Sequence, residues 1–177
     1  MANRTVVLGP PPPEIEALLA RRRLSGLDRY DEVWEGEYHM VPVAHSSHGR
    51  LQSQIAMVLD PLGRAAGLSG TGPFNLGSPD DFRIPDWALH RVVPNEVWVP
   101  TAAVVLEIES PDDETWEKLP FYAAHGVDEV LIVSGERRSV EWLGLAGGSY
   151  GPSPEGSVLL GPESARLGEL IDWPLRA

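Results

Sequence analysis

The chain has 177 residues, of which 42% are hydrophobic, and this length suits one domain that buries roughly 70% of its unfolded surface. The absence of cysteine excludes disulfides, thiolate nucleophiles and cysteine zinc sites, so any metal must bind oxygen or imidazole. A net charge of −12 opposes partners recognised mainly through phosphate charge, although a local basic groove is compatible with it.

The N-terminal part of the chain predicts a helix followed by a β-hairpin. Residues 14–24 carry apolar side chains at helical spacing after a run of four prolines. Residues 30–43 alternate around a Glu-Gly pair, which predicts a hairpin with Glu37 just after its turn.

A second, longer helix is predicted after this hairpin. Ser46 or Ser47 can cap its start, and apolar residues then recur at near-helical spacing. His48 and Gln52 lie near the start of this helix. Pro61 is expected to kink or end it, because proline has no backbone N–H.

The middle of the chain predicts an interrupted strand that carries an acidic residue. Residues 67–77 are rich in glycine and predict a loop and a short strand; no Gly-Lys-Ser/Thr follows, so this is no P-loop. Residues 82–90 predict a strand that Pro85 interrupts, with Asp86 directly after the proline. Proline within a strand indicates an edge or a bulge, and bulges often redirect a side chain beside a site.

Residues 104–133 predict a strand, a helix and a second strand. The first strand contains charged Glu107, which a buried strand accepts only with a partner. Ser110-Pro111 ends this strand, and the acidic residues 112–114 suit the start of a helix that carries Lys118. The connection is long enough for a parallel crossover, which places Glu107 and Lys118 near the carboxyl end of the first strand, where open α/β sheets hold their sites.

The C-terminal part predicts smaller elements. Residues 139–145 alternate and are expected to pair with the strand before them, whereas 147–156 are expected to form a flexible surface loop. Residues 157–160 predict a short strand, and 165–171 predict one or two helical turns. The sequence contains no internal repeat and no linker that separates two domains.

Asp86, Glu107 and Lys118 form the principal candidate site. The two carboxylates lie on successive predicted strands. Two carboxylates that lie close together raise each other's pKa unless a cation lies between them. Mg²⁺ prefers one or two carboxylates with water and phosphate, and it promotes attack by water on phosphorus. Lys118 is the only lysine beside 13 arginines, and its ammonium can orient the water or neutralise developing charge.

Structural roles remain open for each of these residues. Asp86 can form a local turn after Pro85, Glu107 can pair with an arginine, and Lys118 can be a solvated helix residue. His48 can be structural as well.

Other side chains allow further metal sites. Glu109 alternates with Glu107 on one strand face and is either a third ligand or solvent-facing. His39, His45 and His48 are an alternative zinc or nickel set, although their spacing gives no i, i+4 pair.

No nucleophile elbow, dinucleotide fingerprint or zinc-finger pattern is present.

Several motifs around these residues resemble the Uma-two family of restriction endonuclease-like proteins, within the PD-(D/E)XK nuclease superfamily. The resemblance runs over residues 30–142 and is most specific in VVLEIESP and EKLPFYAAHGVDEVLIV. By this resemblance Asp86 is the motif aspartate and Glu107 the second carboxylate. Glu109 stands where the superfamily lysine is usual, and Lys118 matches the lysine that such proteins carry on the following helix. Glu37 and His48 match less distinctive family positions.

The resemblance implies an α/β fold with a restriction-endonuclease-like mixed β-sheet, flanked by helices and preceded by an N-terminal β-hairpin. It implies catalytic residues Asp86, Glu107 and Lys118, with Mg²⁺ or Mn²⁺ held by the two carboxylates and the backbone carbonyl of Ile108. Glu37, His48, Gln52 and Glu109 are supporting candidates. We expect one domain over residues 1–177, with an arm and helix at 1–29, a core at 30–142 and a hairpin and short helix at 143–177.

The expected function is a metal-dependent endonuclease that hydrolyses DNA phosphodiester bonds. The alternative is a catalytically inactive nuclease fold that serves as a binding or regulatory module, an alternative that the acidic charge and the displaced lysine motivate. Cutting both strands of a duplex with one site per chain favours a homodimer. No apolar run reaches the length of a membrane span and the N-terminus has no signal pattern, so we expect a soluble, cytoplasmic protein without a membrane partner.

Overall fold

A computed structural model of the chain describes residues 5–42, 44–110 and 114–173. The strands form two six-stranded sheets. The first sheet has the order β1-β3-β2-β6-β5-β8, with strands β1 (Thr5–Val7), β2 (Glu32–Trp34), β3 (Glu37–Met40), β5 (Asn75–Ser78), β6 (Asp81–Arg83) and β8 (Trp98–Val99). The second has the order β12-β11-β10-β9-β7-β4, with strands β4 (Ser69–Thr71), β7 (Trp87–His90), β9 (Val104–Glu109), β10 (Glu129–Ser134), β11 (Ser139–Ala146) and β12 (Ser149–Pro152).

Among the described residues, four α-helices accompany the sheets: α1 (Pro13–Ser25), α2 (Ser46–Ala65), α3 (Leu119–Ala124) and α4 (Leu167–Leu170). Two 3₁₀ turns, Trp116–Lys118 and Pro162–Arg166, directly precede α3 and α4. In the part of the chain that the structure describes, no helix combines the length and apolar character needed to cross a bilayer.

The centre of the second sheet is the parallel pair β9 and β10. Their connection runs through α3, as the strand–helix–strand pattern predicts. Both strands are buried along almost their whole length, because one apolar cluster with α2 covers one face and another with α3 covers the other. Beside β9 lies the antiparallel strand β7, so Asp86, directly before β7, and Glu107 on β9 meet at one end of the sheet.

The mixed α/β fold with helices flanking its sheets, and the hairpin of β2 and β3, are therefore found as the sequence predicts. The interrupted strand is also found, since Pro85 separates β6 from β7 and the two strands join different sheets. The predicted pairing of β11 with β10 is confirmed as well.

Pro61 does not end α2, which continues to Ala65 because Leu62 and Gly63 still pack towards the sheet. Four local predictions need correction. The cap of α2 is the side chain of His45, which accepts a hydrogen bond from the backbone N–H of Ser47, so neither serine is the capping residue.

The predicted loop at 147–156 contains β12, which pairs with β11 across a turn at Gly147 and Gly148. Both glycines have positive φ, 60° and 85°, which suits a two-residue hairpin turn. The predicted strand at 157–160 is a turn instead. Its backbone N–H groups at Val158 and Leu159 donate to the buried carboxylate of Glu129, so they are not free to pair in a sheet.

The helix predicted after β9 is shorter than expected and begins with the 3₁₀ turn at Trp116–Lys118. Pro111 and two of the acids that the sequence assigns to the start of this helix, Asp112 and Asp113, lie outside the described residues.

We predict that Gly77→Ala destabilises the fold by about 3 kcal/mol. Gly77 has φ +121°, and an added Cβ would lie 2.4 Å from the backbone oxygen of Asp81 and 2.9 Å from Phe121 Cζ. The measurement is the free energy of unfolding in urea. Gly72→Ala is the matched control, because no heavy atom lies within 4 Å of a Cβ there, and a loss as large as that of Gly77→Ala would contradict the explanation.

Candidate active site

Asp86, the residue directly before β7, lies beside Glu107 on β9. Trp87 is opposite Leu106 in the antiparallel register, and the backbone N–H of Asp86 donates to the Leu106 carbonyl at 3.1 Å. One carboxylate oxygen of Asp86, Oδ2, accepts a hydrogen bond from the backbone N–H of Ile108 at 2.8 Å. The structure thus brings together the two carboxylates that the sequence places on successive strands.

Lys118 reaches Glu107 from the turn that precedes α3. Its Nζ lies 3.2 Å from Oε1 and 3.4 Å from Oε2 of Glu107. A closer partner is Glu32 Oε1, at 2.9 Å. The ammonium therefore stands between two buried carboxylates, and together with Asp86 these residues form what we call the acid–lysine group: Glu32, Asp86, Glu107 and Lys118.

Glu32 is the member of this group that sequence reasoning missed. It lies on β2, and its carboxylate accepts hydrogen bonds from the backbone N–H of Ile84 and from Trp34 Nε1, both at 2.7 Å. No local signal in the sequence separates Glu32 from the other glutamates of the same predicted hairpin. Glu37, chosen from this hairpin instead, is exposed at the start of β3 and takes no part in the hydrogen bonds of the group within the described chain.

Burial and neighbouring charges control protonation in the group. Burial raises the pKa of Glu107, which is 4% exposed, and the charges of Asp86 and Glu32 raise it further, while the Lys118 ammonium opposes them. Burial acts to lower the pKa of Lys118, but the carboxylates of Glu107 and Glu32 outweigh it and raise that pKa above its ordinary value. The carboxyl group of Glu107 thus holds a proton more firmly than an ordinary glutamate.

Tyr122 supplies the remaining contact to Glu107. Its hydroxyl donates to Oε1, and its side chain is fully buried on α3 one turn after Lys118. Burial, followed by the charge of Glu107, raises the pKa of Tyr122 well above its ordinary value, so the hydroxyl remains a donor. Tyr122 is not among the site residues predicted from the sequence.

The start of α2 contributes two of the predicted supporting residues. His48 Nε2 lies 2.8 Å from Asp86 Oδ1, and Gln52, one turn later, donates to the backbone carbonyl of Asp86. Ser110 Oγ lies 3.4 Å from the other ring nitrogen of His48. Asp86 is therefore held from the helix through its side chain and its backbone.

Glu109 points to different partners. Trp116 Nε1 donates to Oε1 of Glu109, and Arg137 Nη2 pairs with Oε2, both at 2.6 Å. His39 and His45 also have separate partners: His39 Nδ1 lies 3.1 Å from Glu114 Oε2, and His45 caps α2. Within residues 5–42, 44–110 and 114–173, no three acidic, histidine or cysteine side chains are placed to share a metal ion.

The fold and the acid–lysine group define a nuclease-like α/β protein. The structure is similar to a crystal structure described as a putative nuclease belonging to DUF820 from Anabaena variabilis ATCC 29413, with a TM-score of 0.60. The two chains are 16% identical, and the similarity covers 81% of this chain and 90% of the other.

The chain belongs to the Uma2 family, described as putative restriction endonuclease, whose model matches residues 16–172. The resemblance found in the sequence motifs is therefore confirmed, over a longer span than the motifs alone indicated. No curated protein matches the chain.

We predict that Lys118→Met lowers stability by about 3 to 5 kcal/mol at neutral pH, because it leaves two buried carboxylates without their cation. Carboxyl groups whose pKa is raised by folding stabilise the folded state at low pH and lose that contribution as the pH rises through the folded pKa. The deficit should therefore shrink as the pH falls from neutrality towards the ordinary glutamate pKa of about 4.3.

Urea unfolding of the variant and the wild type at several pH values measures this deficit. Arg64→Met is the matched control, because Arg64 pairs with Asp60 at 2.8 Å on the surface and is 77% exposed, so its loss should cost less than about 1 kcal/mol. A deficit for Lys118→Met that stays constant across the pH range would contradict the explanation.

Proposed function

We propose that the protein is a Mg²⁺- or Mn²⁺-dependent endonuclease that hydrolyses DNA phosphodiester bonds. The observation that carries the proposal is the pairing of buried Glu107 with the only lysine of the sequence, beside Asp86, the residue directly before β7. Membership of the Uma2 family supports the same reaction class.

The donor atoms of the group fit a hard divalent cation. Asp86 and Glu107 offer two carboxylates, which is the number that Mg²⁺ commonly takes from a protein. The group carries three carboxylates against one ammonium, and the like charges of Asp86 and Glu32 raise the pKa of Glu107, so a further cation would relieve the repulsion. Asp86, Glu107 and the backbone carbonyl of Ile108 are the ligands that we propose; such a metal lowers the pKa of a bound water and stabilises charge on phosphate.

The side chains around the metal ligands have distinct roles in this proposal. Lys118 neutralises negative charge on the phosphate, and Glu32 positions its ammonium, because Glu32 is itself fixed by two hydrogen bonds. Tyr122 and His48 orient the carboxylates of Glu107 and Asp86, respectively, by one hydrogen bond each. The carboxylates of Glu107 and Asp86 are thus each oriented by a protein side chain before any substrate binds.

Cleavage of both duplex strands with one such site per chain requires two copies, and we propose a homodimer that acts in the cytoplasm. A monomeric mass by light scattering in the presence of DNA would contradict the dimer.

Asp86→Asn and Glu107→Gln should each lower metal-dependent cleavage of plasmid DNA by at least about 100-fold, because each removes a negative ligand while keeping the side-chain shape. The measurement is the nicking and linearisation rate in Mg²⁺ and in Mn²⁺, with circular dichroism to show that the fold is retained. Glu117→Gln is the control, since Glu117 is exposed one residue before Lys118. Wild-type protein that cuts no DNA with either metal would overturn the proposal.

A second candidate function is a nuclease fold that binds without cutting. It is favoured by one observation: the Lys118 ammonium already lies within 3.4 Å of both Glu107 oxygens and can take the place of a metal.

Calorimetric titration with Mn²⁺ separates the two candidates. The endonuclease should release or absorb heat at millimolar metal, and Glu107→Gln should abolish that signal, because the carboxylate is a ligand. Wild-type protein that gives no heat would favour the binding module.

A further inference from the structure

A cleft of about 430 Å³ lies at the edge of the second sheet, and one of its walls, Trp116, precedes Lys118 by two residues. We call it the Trp116 cleft. Its walls are mainly aromatic, aliphatic and proline side chains, and they include Trp116, Leu119, Tyr150, Pro152 and Pro154, with Glu141 among the polar residues. The cleft is thus suited to a flat, partly apolar group that also carries hydrogen-bond donors.

Trp116 is exposed, yet its orientation is fixed. Its side chain is 41% exposed, which is unusual for so large an aromatic residue. The indole N–H donates to Glu109 at 2.6 Å, and Glu109 is in turn paired with Arg137 at 2.6 Å. An aromatic ring that is held by its edge while part of its surface stays open is suited to stacking.

The other aromatic wall is fixed as well. The hydroxyl of Tyr150 donates to the backbone carbonyl of Val127 at 2.7 Å, and its ring packs beside the apolar cluster under α3. The cleft therefore does not have to form when a ligand arrives, which lowers the cost of binding.

Trp116 links the cleft to the proposed catalytic group, because its indole N–H donates to Glu109 at 2.6 Å. Glu109 follows Glu107 by two residues on β9, so both face the same side of the strand about 7 Å apart. Trp116 and Lys118 belong to the same 3₁₀ turn. A strand of nucleic acid with a phosphate at Glu107 and Lys118 would therefore bring a neighbouring nucleotide to the cleft.

Glu141 lines the cleft, and Arg137 reaches it from outside by pairing with Glu141 at 3.7 Å. Arg137 is 54% exposed and lies between Glu109 and Glu141, where its guanidinium can meet a backbone phosphate. The Glu141 carboxylate, 43% exposed, can accept a hydrogen bond from an exocyclic amino group of a base. Aromatic and proline surfaces offer stacking to any base.

We propose that the Trp116 cleft binds an unpaired base next to the scissile phosphate, so that the preferred substrate is single-stranded nucleic acid or a duplex with unpaired nucleotides. This inference rests on the proposed nuclease function and adds the substrate class. A base within an intact duplex is stacked and paired, and it reaches such a cleft only at the cost of unstacking.

The test compares the binding of a short single-stranded DNA oligonucleotide with that of its blunt duplex, by fluorescence anisotropy in EDTA, where no cleavage occurs. Wild-type protein should bind the single strand more tightly. Trp116→Ala should lower that affinity about 10-fold or more, because one stacking contact is lost, and should leave duplex binding unchanged. Trp116→Phe keeps a stacking ring and should stay within about threefold of wild type.

Met57→Ala is the matched control, because Met57 is 70% exposed on α2 outside the Trp116 cleft. Thermal unfolding of each variant shows that the fold is retained. Equal affinity of wild type and Trp116→Ala for the single strand would overturn the inference, as would wild-type protein that binds no single strand or prefers the duplex.

Cleavage assays separate this inference from the proposed function. Metal-dependent cutting by wild type with undiminished single-strand binding by Trp116→Ala would refute the cleft and leave the nuclease standing. Single-strand binding that depends on Trp116, in a protein that cuts with neither Mg²⁺ nor Mn²⁺, would support the cleft as a nucleic-acid site and refute the nuclease.

Discussion

The Lys118 ammonium connects the two sheets through charge. One of its carboxylate partners, Glu32, belongs to β2 in the first sheet, and the other, Glu107, belongs to β9 in the second. Removing three charged groups from water is costly, and their attraction offsets the cost only because backbone and indole N–H groups satisfy the remaining oxygens. A purely apolar contact would join the sheets without the free-energy cost of burying charged groups. The charges are understandable if the group has to meet a metal ion and a phosphate.

The sequence was sufficient to predict the elements whose signals are local. Periodicity located α1, α2 and the hairpin of β2 and β3, and the β-branched runs located β9 and β10. The errors arose where tertiary contacts outweigh local preference. The turn at 157–160 has strand-like residues, but the N–H groups of Val158 and Leu159 donate to the carboxylate of Glu129, 29 and 30 residues earlier. Pro61 is tolerated in α2 because packing against the sheet continues beyond it.

The candidate site was predictable to the extent that a charge inside an apolar strand is conspicuous. Glu107 stood out for this reason, and the proline before Asp86 marked the neighbouring strand. Glu32 was not selected, since nothing local distinguishes it from Glu37 in the same hairpin; only the pairing of β2 with β6, more than 40 residues later, brings it to Lys118. The pairing of Glu109 with Arg137 likewise depends on a residue 28 positions later in the chain.

The single lysine also gives the chain one unique site for amine-reactive reagents that target ε-amino groups. Lys118 carries the only ε-amino group in the sequence, and its side chain is 13% exposed. Acylating reagents attack the neutral amine, which here is rarer than in an ordinary lysine because neighbouring carboxylates stabilise the ammonium. Separation of the two sheets would free Lys118 from Glu32 and Glu107 and make its amine easier to acylate. The acylation rate of this one ε-amino group therefore reports how often the two sheets separate.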